Sequence, residues 1–135
     1  MSSHPLADRV APSLDDFAAM ADAAFAALPD AFRKLAGDVV CQVADFADEA
    51  VLDDLGIEDA FELTGLYQGV DLGRRSLFDP SPEASRVFLY RRPILDEWAE
   101  RGDVGLGELI THVLVHEIGH HFGLSDEQIH AIEER

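Results

Sequence analysis

Lysine is almost missing from this sequence. Of ten basic residues only Lys34 is a lysine, and the ten face 27 aspartates and glutamates, for a net charge of −17. A surface of that sign repels nucleic acid and anionic membranes, so no nucleic-acid or membrane partner is expected. The plainer reading of the acidity is solubility; the sharper one is selection for a basic substrate or partner. Cysteine is nearly absent too. Cys41 stands alone, so an internal disulfide is excluded, and its apolar run suits a buried small hydrophobe better than a nucleophile. Apolar runs fall well short of the roughly 18 residues a membrane span needs. The opening "MSSHPLADRV" lacks a cationic stretch followed by an apolar one, so no signal peptide is visible and a cytoplasmic home is expected.

What is present amounts to one ordinary globular domain. The chain has 135 residues, 47% of them hydrophobic and 27% charged, enough to bury a real core but too few for two domains. Residues 1–12, polar and with two prolines, are expected to be flexible, and 13–135 to form a single domain. Ser13 can N-cap a helix in which Phe17, Ala21, Ala24, Phe25 and Leu28 recur at helical spacing; Pro29 breaks or restarts it. The β-branched run 38–46 predicts a strand, 48–56 a short helix, 60–69 a second strand interrupted at Gly65, and 86–90 a third. Pro80 and Pro82 predict a loop over 76–85. Pro93 opens a short helix containing Trp98, and a long helix runs from about Leu106 to Phe122. A last short helix follows Ser125, where "SDEQ" reads as a capping box.

Five of the six histidines lie between 112 and 130, around "HEIGHHFGLSD" (116–126). Residues four apart on a helix lie within about 40° of each other, so His116 and His120 point the same way, one turn apart. Two neutral imidazoles so placed can fill two positions of a tetrahedral zinc. Glu117 lies beside that face, where it can contact a water on the metal without being a ligand. Leu114, Val115, Ile118 and Phe122 form the opposite, core-facing stripe. Gly123 can end the helix in a left-handed turn that brings Asp126 back as a third ligand; His130, one turn further on, is the rival. His112 suits a pocket wall better than ligation, and His121 points away from His120.

The full pattern H-E-x-x-H-x-x-G-x-x-D, together with "LTGLYQGVDLGRRS" (63–76) and "RVFLYRRPIL" (86–95), resembles the small single-domain bacterial zincin-like metallopeptidases, across most of residues 14–135. The resemblance implies an α+β, minimal zincin-like fold: a small twisted mixed sheet of three to four strands packed on a C-terminal active-site helix. It implies His116, His120 and Asp126 as metal ligands, Glu117 as general base, and one Zn2+ per chain. Peptide or protein is then the substrate, hydrolysed by a metal-activated water. A homo-oligomer is not indicated. The chain departs from the larger zincins in two ways. Both methionines, Met1 and Met20, precede the motif, so there is no methionine turn, and no distant downstream glutamate follows before Arg135. A missing cleft wall would have to come from residues before 112 or from a second subunit.

Several alternatives stay open at this level. Histidine with carboxylate also suits manganese, iron or nickel. The chain can be a metal-binding regulatory or interaction module of the same fold with little turnover, or a fold stapled by structural zinc, though the latter usually has four protein ligands and often cysteine. Tyr67 and Tyr90 are both candidates to stabilise an oxyanion. The strand 86–90 is the expected edge for pairing an extended peptide, and Arg91 and Arg92 can favour an acidic substrate end, although a solvated pair is the plainer reading.

Overall fold

The computed structural model describes residues 4–37, 39–68 and 85–133. The chain runs α1 (Leu14–Ala26), α2 (Asp30–Ala36), β1 (Val40–Ala44), α3 (Glu49–Leu55), a 3-10 turn (Ala60–Glu62), β2 (Gly65–Gln68), β3 (Arg86–Tyr90), α4 (Arg91–Arg101), α5 (Leu106–His121) and α6 (Asp126–Glu133). This is the expected α+β architecture with a small mixed sheet. The strand predicted over 60–69 is shorter than its sequence suggests: Asp59 accepts a hydrogen bond from Phe61 N and sets the 3-10 turn, so pairing begins only at Gly65. The predicted loop 76–85 lies outside the described residues except for Ser85.

Local chemistry accounts for the helix ends. Ser13 Oγ accepts from Asp16 N at 3.1 Å and Asp16 Oδ2 accepts from Ser13 N at 2.9 Å, a reciprocal cap that starts α1. Pro29 ends that segment and precedes α2. The Trp98 indole donates to Val104 O at 2.8 Å, tying α4 to the start of α5.

The sheet order is β1-β3-β2, with β1 parallel and β2 antiparallel to β3. The expectation that 86–90 is an edge for substrate is therefore corrected: β3 is central, hydrogen-bonded on both sides. Its composition carries that signal, since Val87, Phe88, Leu89 and Tyr90 are apolar on both faces, as a strand covered on both faces requires. Val87 and Leu89 join the main core with Phe17, Ile110, Leu114 and Ile118. Phe88 and Tyr90 face the other way, toward Leu52 and Leu66. Helix α1 packs against both α5 and β1, so the motif helix is held between sheet and helix.

Arg91 and Arg92 have structural employment. Arg91 donates to Pro12 O at 2.5 Å and pairs with Asp45 at 3.1 Å, while the Arg92 guanidinium lies 5.8 Å over the Phe46 ring. Cys41 is half-buried on β1, and its thiol is pushed up to about 11 by burial and by the negative charge of Asp22. A raised pKa means less thiolate at neutral pH. Alkylation of Cys41 by iodoacetamide at pH 8 is therefore expected to be on the order of a hundredfold slower in native protein than in urea, followed by mass spectrometry. Equal rates would contradict this placement. Among the described residues, no helix is long and apolar enough to cross a membrane.

Candidate metal centre

Helix α5 is anchored by one fully buried stripe, Ile110, Leu114, Val115 and Ile118. That burial fixes the opposite face, on which His112, His116 and His120 follow one another at single-turn intervals. Their ring centroids are 4.1 Å apart for 112 and 116, and 5.6 Å for 116 and 120.

The helix ends in a Schellman turn. Gly123 has φ +75°, its N–H donates to His120 O at 3.0 Å, and Leu124 N donates to Gly119 O at 2.9 Å. Ser125 then caps α6: its Oγ accepts from Gln128 N at 3.1 Å and Gln128 Oε1 accepts from Ser125 N at 2.8 Å. Ile129, fully buried, seats α6 in the notch over Gly119, where an added Cβ would lie 2.8 Å from Ile129 Cγ1. These contacts lay α6 along the histidine face.

Two groups of donor atoms result, each with all its atoms within 4.8 Å of one another: His116, His120 and Asp126, and His112, His116 and Glu133. In the first, His120 Nε2 is 3.3 Å from Asp126 Oδ1. Two ligands bonded at ~2.0–2.1 Å to one tetrahedral ion stand about 3.3 Å apart, so this pair is spaced as zinc ligands are. Burial, reinforced by the nearby His112, holds the His116 imidazole below its ordinary range despite the carboxylates of Glu133 and Asp126. It is therefore neutral near pH 7, with a lone pair to offer. Two imidazoles and a carboxylate form a donor set that zinc accepts. Among the described residues, His130 joins neither group.

Glu117 lies on the β2 side of α5. Burial pushes its carboxyl above the usual range, while a hydrogen bond from Tyr67 N and the charge of His120 act the other way. The hydrogen bond follows from strand geometry. Tyr90 N donates to Thr64 O at 2.9 Å, so antiparallel alternation turns residues 66 and 68 toward β3 and leaves Gly65 and Tyr67 facing outward. The outer edge of β2 thus meets Glu117 of the motif helix. Gly65 permits the close approach: a Cβ there would meet Val113 Cγ1 at 2.7 Å, Phe88 O at 3.2 Å and Glu117 Cγ at 3.3 Å. Gly65→Ala is expected to cost about 1–3 kcal/mol by overpacking, read as a lowered urea midpoint at unchanged slope. An unshifted midpoint would refute that crowding.

The tyrosines separate as well. Tyr90 is buried on the sheet face away from the main core, and burial, with Asp48 and Glu117, raises its pKa. Tyr67 stacks on His121 with centroids 3.7 Å apart, which gives His121 the separate direction expected of it. Glu133 is the residue that reading the motif overlooks. It is seven positions after Asp126, two turns along α6 and on the same face, the same spacing argument that pairs His116 with His120.

None of the curated proteins matches the chain significantly. The family model described as zincin-like metallopeptidase matches residues 36–135. That segment spans all three strands and both helices that bring the donor groups together, and by it the chain belongs to the zincin-like metallopeptidase family.

Proposed function

We propose that this protein is a zinc-dependent peptidase in which His116, His120 and Asp126 hold the metal and Glu117 is the general base. The observation that carries the reading is the position of Glu117: a half-buried carboxylate of raised pKa, bonded by Tyr67 N–H at the outward edge of β2 and close enough to His120 to feel its charge. Held by His116, His120 and Asp126, zinc would supply an acidified water and a polarised carbonyl. Glu117 takes the proton from the attacking water and returns it to the leaving amine, a task helped by the burial that raises its pKa. Tyr67 N–H holds the carboxylate in place during both transfers. The outer edge of β2, whose Tyr67 N–H meets Glu117, is the strand edge beside the donor group, and an extended peptide would be laid next to it. Peptide or protein is the substrate this edge would accept.

The test is metal content by mass spectrometry on untagged protein, with a peptide library as substrate. About one tightly bound zinc and measurable cleavage are expected. Asp126→Ala is expected to weaken that zinc by ten-fold or more and His130→Ala to leave it unchanged. The reverse result would transfer the ligand role to His130. Tight metal without cleavage of any library member would favour a metal-dependent interaction module.

A further inference from the structure

We propose that His112, His116 and Glu133 form a second divalent-cation site, adjacent to the first and weaker, for zinc or a similar borderline ion. His112 Nδ1 stands 2.9 Å and His116 Nε2 3.7 Å from Glu133 Oε1. Glu133 Oε1 is shielded from solvent and faces both imidazole nitrogens. A carboxylate oxygen cut off from water is costly unless it is paired, and a cation is the partner that two flanking imidazoles and a carboxylate together can receive. The two acids differ accordingly. The Asp126 side chain is 83% exposed and that of Glu133 21%, so the second site is the more enclosed.

The two groups are a ladder rather than one site. Asp126 and Glu133 are seven residues apart, about 10.5 Å along α6. They therefore address successive turns of α5, Asp126 the pair 116 and 120, Glu133 the pair 112 and 116. The second site is reachable, because His112 and Glu133 line a cavity of about 750 Å³ between α1, α5 and α6. A net charge of −17 draws cations toward it. A neutral imidazole has one lone pair to give, so with both ions bound His116 serves only one of them, and the other, left to His112, Glu133 and water, binds the more weakly.

Binding at this site requires no turnover and is measured without it. Metal-free protein is titrated with zinc by calorimetry and equilibrium dialysis, with excess magnesium to occupy exposed carboxylates. Wild type is expected to take two ions, with dissociation constants at least tenfold apart. His112→Ala and Glu133→Gln are each expected to take one, the tighter. His112 is partly exposed, so its replacement leaves the core intact even if Glu133→Gln loosens α6. Saturation of wild type at one ion overturns the proposal, as does retention of two ions by either variant. His120→Ala and Asp126→Ala are expected to keep one ion, on His112, His116 and Glu133. If those two variants still bind two, the peptidase centre proposed above fails and this site stands.

Discussion

Glu117→Gln is expected to lower peptide hydrolysis by about 10²–10⁴-fold and to leave tightly bound zinc at wild-type stoichiometry. Glutamine nearly matches glutamate in volume, so the packing of α5 against β2 survives. Its carbonyl can accept the Tyr67 N–H as the carboxylate does. What it cannot do is accept a proton from water. The variant therefore separates the proton-transfer role from every structural one, since metal affinity and urea midpoint report on the fold while turnover reports on the base. Wild-type turnover in Glu117→Gln would sink the general-base role. Loss of metal along with activity would instead mean that the carboxylate also supports the ligands.

Ile129→Ala is expected to weaken zinc binding by roughly 30-fold or more although it offers no donor atom. Ile129 is fully buried against Gly119 and is the only residue of α6 buried to that degree. Truncation of a buried isoleucine costs about 2–5 kcal/mol, and here much of that falls on the docking of α6. Each 1.4 kcal/mol of docking lost is a tenfold loss in any affinity that needs α6 in place. Both Asp126 and Glu133 ride on that helix, so both donor groups should weaken together. Hydrogen exchange over 126–133 should accelerate while the sheet stays protected. Ile129→Val, which removes one methylene, should cost about 0.5–1.5 kcal/mol and move affinity correspondingly less. Unchanged zinc affinity in Ile129→Ala would mean that the ligands do not depend on this packing.

Much of the local structure could be read in advance because its causes are local. The reciprocal caps at Ser13 and Ser125 join groups three residues apart. The helix end at Gly123 depends on a backbone angle that glycine adopts freely. The shared face of His116 and His120 follows from helical pitch alone. Three features resisted because their causes are distant. The central place of β3 is decided by two partner strands, one before β2 in sequence and pairing in parallel. The hydrogen bond to Glu117 comes from the backbone of Tyr67, and no side-chain pattern encodes a particular N–H. Glu133 enters the donor groups only when α6 folds along α5, through apolar contacts of Ile129 and Leu124 with Gly119.

By itself, then, the sequence determined the family and the elements that carry the candidate donors: two imidazoles and a carboxylic acid on one turn of a helix, a glycine stop, and an acid within reach of the return. Pitch, capping and residue type suffice for that, and all act over a few residues. Only the tertiary structure decided which strand edge faces Glu117, and which acids of α6 meet which histidines. Those outcomes rest on how apolar faces pack, and packing joins residues that the sequence keeps far apart.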